Sequence, residues 1–365
     1  MIKVLHYAPG FRSGGIESRL LDWYRNIDRS KIQFVLIKLN NEDDTENMRE
    51  FLRLGGKHYN LPSFTLKNYI AFSKGIKKII KEEKIDVVHV HDVNSGYFVL
   101  KIAKALGVKC RILHSRTTEY LPNEKNLWIK KILKGKSYKY ANHYFACSYE
   151  AGIWGIGEER KDEVIVIKNG IQTNYYQYDE NIRHKIRREL NVENKKVIGS
   201  IGRLSPQKNI PYLLNIFNLL SQKHDDYVLV LVGEGNRKPI IDFIKEHGLE
   251  DKVILTGERK NVWDYYMAFD IFVGTSLYEG FGTTAIESQA TGLPTILSTG
   301  FPEVVVLSNL TNRLSFDDAN QWVSLIEAKI GKRNYHQGME SVISSGYSAE
   351  SVAKYLQDFY EKNSK

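Results

Sequence analysis

The sequence has no long apolar run and contains only two cysteines. No stretch approaches the roughly 20 apolar residues that a membrane-spanning helix needs. The residues before Pro9 form one short strand-like run and lack the apolar segment of a secretion signal. Cys110 and Cys147 lie in separate apolar runs without the spacing of metal ligands. We therefore expect buried free thiols, a reducing compartment and a cytoplasmic protein.

Signatures of nucleic-acid binding are also missing, because no helix-turn-helix, RNA-recognition or zinc-finger pattern occurs. The chain nevertheless carries 52 Lys and Arg against 43 Asp and Glu, a formal net charge of +9. An excess of positive charge suits an anionic partner such as a nucleotide, a lipid phosphate or an anionic membrane surface. We expect one of these partners and no nucleic acid.

The length and the order of the elements predict two domains. At 365 residues the chain exceeds the size at which a single core usually stops growing. Strand-like and helix-like segments alternate, loosen between residues 170 and 185, and then alternate again. This alternation predicts an α/β protein with two Rossmann-like, doubly wound domains that face each other across a cleft. We place the domains at residues 1–172 and 173–345.

A glycine loop in the second half predicts an anion site. Gly280 and Gly282 follow an apolar strand, and a helix that starts near Thr284 would turn its open N–H groups and positive dipole end toward the loop. Glu279 and Glu287 flank this loop. Alternatively, Glu287 forms a capping box with Thr284, and Glu279 is simply solvated. A carboxylate beside an anion site suits a ligand with a neutral, hydroxyl-rich part such as a sugar.

The segment GRLSPQKNIP, residues 202–211, predicts a second part of the same site. Gly202 ends a strand, and Asn209 with Pro211 has the pattern of a helix start. Arg203 and Lys208 would then lie on a loop at the carboxyl edge of the sheet, where ligands of such sheets bind. Two fixed cations at this position suit a diphosphate. The alternative is that both side chains are solvated surface residues.

Histidines and glycines mark the strand ends of the first half. Gly14 and Gly15 open a helix, but they lack the full spacing of a dinucleotide fingerprint and also suit a plain tight turn. His89 and His91 point to one face of a strand; without a third ligand, we favour half-buried, hydrogen-bonded histidines over a metal site. His114 ends its strand, where a histidine can bind a substrate or move a proton.

Residues 125–140 interleave apolar side chains with six lysines. This pattern is typical of a basic amphipathic face that lies on an anionic membrane. The residues that would face the membrane or the acceptor are Trp128, Lys130, Lys131 and Lys134. The alternative is a solvated helix whose apolar stripe enters the core.

Four motifs occur in order: GGIE at residues 14–17, GRLSPQKN at 202–209, VGEG at 232–235 and YEGFGTTAIE at 278–287. Over nearly its whole length the chain resembles glycosyltransferase family 4, the retaining nucleotide-sugar transferases of GT-B fold. Its first residues and the segment GLPTILSTGFPEVVVL are most similar to bacterial enzymes that assemble exopolysaccharide or capsule. The resemblance also implies that a helix within residues 346–365 crosses back to the first domain.

The resemblance implies a role for each site residue. Arg203 and Lys208 would neutralise the leaving diphosphate, Glu279 would bind sugar hydroxyls and His114 would lie near the reacting sugar; these four residues are the expected catalytic set. Glu287 would bind the ribose. The expected donor-binding residues are Gly14, Gly15, Gly202, Gly233, Glu234, Arg259, Lys260, Phe281, Gly282, Thr283 and Glu287, with Arg259 and Lys260 at the base.

No Asp-x-Asp motif occurs, which agrees with a family that uses fixed cations in place of a divalent metal, so we expect no metal and no cofactor. The sequence departs from the exopolysaccharide enzymes in two places. Glu279 is followed by GFG where those enzymes often have Gly-Leu-Pro. His114 is followed by Arg116 and Thr117 where they often carry His and Asn. Both places border the sugar or the acceptor in that family.

These features together predict a retaining hexosyltransferase that uses a nucleoside diphosphate sugar, with a UDP-sugar favoured. The acceptor would be a saccharide or a lipid-linked saccharide in bacterial surface polysaccharide synthesis. The enzyme would be cytoplasmic and peripheral at the inner membrane face. Two alternatives are a sugar-nucleotide epimerase of GT-B fold, which needs no acceptor, and a non-catalytic subunit that binds sugar nucleotides and regulates a partner.

Overall fold

The computed structural model divides the chain into two compact units, Met1–Gly170 with Ala349–Lys365 and Ile171–Ser348. The structure describes residues 1–8, 15–39, 45–62, 68–117, 120 and 127–364.

The first unit is built on a parallel sheet, which has seven strands among the described residues. The strands are β1 (Ile2–Tyr7), β2 (Ile32–Leu39), β3 (Lys57–Leu61), β4 (Val87–Val90), β5 (Cys110–Ser115), β6 (His143–Ala146) and β7 (Val164–Val166). Their order is β3-β2-β1-β4-β5-β6-β7, and every pair is parallel. The order therefore reverses between β1 and β4.

The second unit repeats this architecture with six strands in its described residues. They are β8 (Lys196–Ile201), β9 (Tyr227–Val232), β10 (Val253–Gly257), β11 (Ile271–Gly274), β12 (Thr295–Ser298) and β13 (Thr311–Leu314). The order is β10-β9-β8-β11-β12-β13, again parallel throughout. The reversal between β8 and β11 opens a crevice at the carboxyl ends of these two strands, where ligands of such sheets bind.

Helices alternate with the strands in both units. In chain order they are α1 (Gly15–Asn26), α2 (Glu46–Arg53), α3 (Tyr69–Glu82), α4 (Gly96–Ala105), α5 (Leu127–Ser137), α6 (Tyr149–Ile156), α7 (Glu180–Glu189), α8 (Ile210–Ser221), α9 (Lys238–Glu246), α10 (Val262–Ala268), α11 (Thr283–Ala290), α12 (Ala319–Lys329), α13 (Tyr335–Ser344) and α14 (Ala349–Asn363). Of the helices in the described ranges, none combines the length and the apolar character required to span a bilayer.

Burial explains which strands the sequence pattern identifies. The interior strand β9 has the sequence YVLVLV and is buried along its whole length, as expected for a parallel strand covered on both faces. The predicted α/β fold with two doubly wound sheets is confirmed. The strands β3 and β13 have the polar sequences KHYNL and TNRL and show no such apolar run. Both lie at a sheet edge and are incompletely buried, so they need no continuous apolar run.

The C-terminal helix α14 belongs to the first unit. Its side chains Val352, Leu356 and Tyr360 join the same apolar cluster as Trp23 of α1 and Phe34 of β2. The last helix of the chain thus covers one face of the first sheet.

A largely buried carboxylate joins helix α7 to the sheet of the second unit. Asp270, which precedes β11, accepts hydrogen bonds from Arg183 Nη2 at 2.5 Å and Arg187 Nη1 at 3.1 Å. It also accepts one from the backbone N–H of Val197 in β8 at 2.7 Å. The three side chains are at most 17% exposed. Removing the negative charge of Asp270 would therefore leave the positive charges of two arginines unpaired and poorly solvated.

We expect Asp270→Asn to lower the free energy of unfolding of the second unit by about 3 kcal/mol, the cost of breaking a largely buried ion pair. The measurement is urea unfolding followed by tryptophan fluorescence and circular dichroism. Asp358→Asn is the matched control, because Asp358 pairs with Lys354 on the exposed face of α14 and exposed pairs contribute little. Equal unfolding curves for the two variants would contradict this role of Asp270.

Candidate functional site

Glycines let the loops at the carboxyl ends of β8, β9 and β10 pack backbone against backbone. A Cβ atom on Gly233, whose φ is +144°, would lie 2.0 Å from the carbonyl oxygen of Gly202. The N–H of Leu204 donates to the carbonyl of Glu234 at 2.7 Å, and the N–H of Gly233 donates to Gly257 at 3.0 Å. Gly202 and Gly233 therefore have a structural reason to be glycine: they fix the position of the loop that carries the predicted cations.

Lys208, on the loop that follows β8, forms an ion pair with Glu279. Lys208 Nζ donates to Glu279 Oε1 at 2.7 Å, and Ser276 Oγ donates to the same oxygen at 2.7 Å. A Cβ atom on Gly202 would lie 2.8 Å from Lys208 Cε, so the lysine chain passes directly over that glycine. Among the described residues Glu279 Oε2 has no hydrogen-bond partner. The carboxylate thus keeps one oxygen for a ligand.

Helix α8 starts differently from the prediction. It begins at Ile210 with Pro211 in its first turn, and Asn209 occupies the N-cap position as expected. However, Asn209 adopts a left-handed conformation with φ of +49° and its side chain makes no capping hydrogen bond. The turn at Asn209 is instead held by Thr275, whose hydroxyl donates to the carbonyls of Lys208 and Asn209.

No side chain of the described residues caps the N-terminus of α11. The helix starts at Thr283, and Gly282 precedes it with φ of +82°. A Cβ atom on Gly282 would lie 2.6 Å from a ring carbon of Phe301. The capping box considered for Glu287 is not formed, because Thr284 lies inside the helix and Glu287 Oε2 accepts from Tyr266 at 2.8 Å. The first N–H groups of α11 are therefore free of a competing side-chain cap.

One small cavity connects these parts at the point where strand order reverses. Gly202 and Lys208 line it from the β8 loop, Ser276 lines it from the β11 loop, and Thr284 lines it from the first turn of α11. The structure thus brings together a cation, a helix N-terminus and the loop of Glu279. This combination can bind an anion and an adjoining hydroxyl group.

The other predicted residues of the second unit lie outside the lining of this cavity. Arg203 follows Gly202 with an exposed side chain, and Lys260 is exposed after β10. Arg259 is exposed and lies 6.0 Å from the centre of the Tyr265 ring. Glu234 is exposed and pairs with Arg237.

The residues around the start of α11 divide into packing and exposed positions. Phe281 is buried, with its ring centre 5.5 Å from that of Tyr347, so its side chain packs in the core. Thr283 is half-buried at the first position of the helix. Leu277 and Tyr278, which precede Glu279, are about half exposed, at 51% and 52%.

Four histidines form a buried cluster in the first unit. His6, His89, His91 and His114 are at most 4% exposed, so His89 and His91 are buried more completely than the half-buried state predicted for them. His6 Nδ1 and His91 Nε2 are 3.0 Å apart, and His89 Nε2 and His114 Nδ1 are 2.9 Å apart. Trp23 of α1 stacks on His89 and His114. His114 is the penultimate residue of β5 and does not lie in the loop after it.

The contacts of the cluster favour hydrogen bonding over metal binding. His6 supplies the third imidazole that the sequence did not indicate, and the nitrogens of His6, His89 and His91 lie within 4.8 Å of one another. Both nitrogens of His89 are already engaged, however, by Tyr360 and His114. A metal ion would also lie beside the fixed positive charge of Arg116. The donor set therefore fits a metal poorly.

Burial keeps the clustered histidines neutral. Desolvation, and then the charge of Arg116, lowers the pKa of His6 from 6.5 to about 3. The pKa of His114 lies well below its usual range for the same two reasons. Burial also lowers the pKa of His89 and His91, with nearby rings and Arg116 adding to it. The cluster is therefore uncharged at neutral pH.

Arg116 is one of the site residues that were not predicted from the sequence. Its guanidinium donates to Asn169 Oδ1 at 3.2 Å and to His91 Nδ1 at 3.4 Å, and it lies 4.9 Å from the centre of the Trp23 ring. Burial lowers its pKa to about 10. Its position directly after β5, at the carboxyl edge of the sheet, was the signal that could have identified it.

The remaining predicted residues of the first unit lie at two places. Gly14 lies outside the described residues, and Gly15 is the first residue of α1. The second place is helix α5. The structure fully buries only Ser137 among its described side chains, so the alternative of a helix whose apolar stripe enters the core does not describe it.

Helix α5 presents large apolar side chains to solvent. Trp128 is 67% exposed and Ile132, one turn later, is 48% exposed. Lys131 is exposed beside them and Lys130 is half-buried. Lys134 instead turns inward, and its Nζ donates to the carbonyl of Trp154 at 2.7 Å. The exposed stripe therefore contains Trp128, Lys131 and Ile132, without Lys134.

Two family models match the chain. Residues 13–175 match the model described as Glycosyltransferase Family 4, and residues 182–330 match the model described as Glycosyl transferases group 1. Together they cover most of both units.

Curated relatives and solved structures agree with these matches. The putative glycosyltransferase EpsF of Bacillus subtilis is 28% identical, over 98% of this chain and 96% of that protein. A UDP-Gal:alpha-D-GlcNAc-diphosphoundecaprenol alpha-1,3-galactosyltransferase of Escherichia coli is 27% identical, over 60% of this chain and 59% of its own. The crystal structure of Anabaena Alr3699/HepE in complex with UDP superimposes with a TM-score of 0.81 at 17% identity, over 99% and 100% of the two chains.

We expect the free energy of unfolding of the first unit to fall as the pH drops from 6.5 to 5. The clustered histidines have depressed pKa values when folded and about 6.5 when unfolded, so the stability present above pH 6.5 is lost as the pH falls toward the folded values. Each histidine that stays neutral contributes about 1.4 kcal/mol per pH unit. Denaturant unfolding at several pH values measures this slope.

A single variant tests whether the cluster carries this slope. His6→Gln removes one buried ring and should reduce the slope by about 1.4 kcal/mol per pH unit. A stability that is flat between pH 6.5 and 5 in the unmodified protein would show that the cluster is not held neutral.

Proposed function

This chain belongs to glycosyltransferase family 4, whose members have the GT-B fold, and on that premise we propose the reaction it catalyses. It transfers a hexosyl unit from a UDP-sugar to a saccharide or lipid-linked saccharide acceptor, with retention of configuration. The observation that carries this proposal is the position of Lys208 in the cavity where strand order reverses, between Glu279 and the N-terminus of α11.

The leaving diphosphate would be stabilised by Lys208 and by the first N–H groups of α11. Negative charge develops on the diphosphate as the bond to the sugar breaks, and fixed positive groups stabilise that charge best in a preorganised site. Lys208 is held by Glu279 and by its passage over Gly202, so little reorganisation is needed. Arg203, exposed on the same loop, would supply the second cation. These fixed charges would make a divalent metal unnecessary.

The sugar and the ribose would each be bound by one glutamate. Glu279 Oε2 would accept hydrogen bonds from sugar hydroxyls, because its other oxygen is occupied by Lys208 and Ser276. Glu287 would bind the ribose with the oxygen that Tyr266 leaves open. Arg259 and Lys260, on the loop after β10, would contact the base. This arrangement resolves the apparent conflict of a carboxylate beside an anion site, since each carboxylate meets hydroxyl groups.

The names of relatives and structural neighbours support the choice of UDP and of a lipid-linked acceptor. The Anabaena protein was crystallised with UDP and with UDP-glucose. The Escherichia coli relative is named for transfer from UDP-Gal to a diphosphoundecaprenol-linked sugar, and a Campylobacter jejuni relative is likewise named for a diphospho-undecaprenol substrate. We infer the same classes of donor and acceptor for this chain, in bacterial surface polysaccharide synthesis.

A lipid-linked acceptor would require contact with a membrane, and α5 would supply it. Trp128 and Ile132 would enter the interface while Lys131 meets anionic headgroups. Such a contact would keep the protein peripheral at the cytoplasmic face.

We expect Arg203→Ala and Lys208→Ala each to lower the rate of hexosyl transfer by about 100-fold, the usual effect of removing one contact to a developing charge. The measurement is release of UDP together with the labelled saccharide product. Lys245→Ala is the matched control, because it removes an exposed lysine from the last turn of α9, a helix that contains none of the predicted site residues. Near-normal transfer in Lys208→Ala would refute the assigned site.

Conversion of the donor without acceptor would indicate the epimerase, and donor binding with no turnover would indicate the regulatory subunit.

We expect binding to vesicles that contain anionic lipid, and we expect it to weaken as salt rises, because charge attraction is screened over about 8 Å at physiological ionic strength. Trp128→Ala and Lys131→Ala should each reduce the bound fraction in a flotation assay. Lys245→Ala, which removes the same charge elsewhere, should not. Absence of binding to anionic vesicles at low salt would exclude α5 as a membrane contact.

A further inference from the structure

The four buried histidines form two hydrogen-bonded chains, and each chain begins at a group that donates. We propose that Arg116 and Tyr360 fix all four rings in the tautomer protonated at Nε2, so that His114 offers a ligand an N–H donor and never a base. Tyr360 and His89 are then positioning residues for His114. The functional part of this inference rests on the proposed transfer reaction, whereas the tautomers themselves do not.

The first chain starts at Arg116. A guanidinium group has only donors, so the contact of 3.4 Å between Arg116 Nη2 and His91 Nδ1 makes Nδ1 an acceptor. A neutral imidazole carries one proton, which for His91 must then lie on Nε2. This Nε2–H donates to His6 Nδ1 at 3.0 Å. His6 is therefore also protonated at Nε2.

The second chain starts at Tyr360 of α14. Its hydroxyl lies 2.8 Å from His89 Nδ1 and is completely buried. Among the described residues the Tyr360 hydroxyl has no second hydrogen-bond partner. If His89 were protonated at Nδ1, the hydroxyl hydrogen would be buried without an acceptor, which costs about 1–3 kcal/mol. The hydroxyl therefore donates to His89 Nδ1.

The proton of His89 must then lie on Nε2, and the next ring follows from it. His89 Nε2–H donates to His114 Nδ1 at 2.9 Å, so His114 carries its own proton on Nε2. Burial and the charge of Arg116 keep the rings neutral, which removes the doubly protonated form from consideration. Each neutral ring thus has a single favoured tautomer.

Both chains end on a nitrogen without a partner. Within the described part of the chain, Nε2 of His6 and Nε2 of His114 are buried and make no hydrogen bond. A buried N–H without an acceptor is costly and is readily satisfied by a ligand oxygen. In the proposed reaction His114 Nε2–H would donate to an oxygen of the sugar. Because that nitrogen is already protonated, His114 cannot remove a proton from the acceptor.

The tautomers can be measured directly by two-bond ¹H–¹⁵N correlation spectra of protein labelled with ¹⁵N-histidine. The four rings are assigned with single His→Gln variants. We expect all four to be protonated at Nε2 in the unmodified protein. Tyr360→Phe should allow the Nδ1 tautomer to appear at His89 and His114 and should leave His6 and His91 unchanged. The unchanged pair also reports that the variant has folded.

Two further variants make the test specific. Tyr355→Phe removes a partly exposed hydroxyl from the same helix, so it should change none of the four rings. Arg116→Lys moves the donor at the start of the first hydrogen-bonded chain, so it should change the tautomers of His91 and His6 more than that of His89. A His114 ring protonated at Nδ1 in the unmodified protein would overturn the proposal. A Tyr360→Phe spectrum identical to the unmodified one would overturn the role of Tyr360.

Transfer rates test the functional part separately. The amide nitrogen of glutamine can take the place of Nε2, whereas that of asparagine lies nearer to the position of Nδ1. We therefore expect the kcat of His114→Gln to be at least about tenfold higher than that of His114→Asn, with similar KM values for the donor. Equal or reversed kcat values would show that His114 is not a donor to the reacting sugar. If the unmodified protein transfers no sugar at all, the proposed function fails while the spectra still decide the tautomers.

Discussion

The reversal of strand order between β8 and β11 is the constraint on which the second unit's site depends. Neighbouring crossovers leave in opposite directions there, so the carboxyl ends of the two strands are not covered by a helix. The chain uses this opening for Lys208, Glu279 and the start of α11. Gly202 and Gly233 allow the adjoining loops to touch through their backbones, which fixes the lysine without a large side-chain network.

The two units use charge in opposite ways. The second unit presents a lysine and open N–H groups, which suit a group that becomes more negative during the reaction. In the first unit the clustered rings are kept neutral, and the guanidinium of Arg116 is stacked on Trp23 beside them. A neutral donor at a sugar binds an oxygen without competing for the negative charge that should develop on the leaving group. The first unit thus offers a ligand a neutral N–H donor, whereas the second offers positive charge.

Sequence reasoning identified the residues whose signal is local. Strand ends and glycine loops locate Lys208 and Glu279, because the carboxyl edge of a parallel sheet collects the loops that follow its strands. It failed where the signal is tertiary: only the fold brings His6 of β1 to His91, and only the packing of α14 brings Tyr360 to His89. It also could not show that Gly233 serves loop packing, since a glycine selected for a close backbone contact and one selected for a phosphate have the same appearance in a sequence.

The central claim is that the cavity beside Lys208 binds the diphosphate of a UDP-sugar, and calorimetric titration tests it most directly. UDP, GDP and ADP would be titrated into the unmodified protein and into Lys208→Ala, with Lys245→Ala as control. The account predicts selective binding of UDP that is retained in Lys245→Ala and lost or greatly weakened in Lys208→Ala. Equal affinity of Lys208→Ala and the unmodified protein for UDP would contradict it.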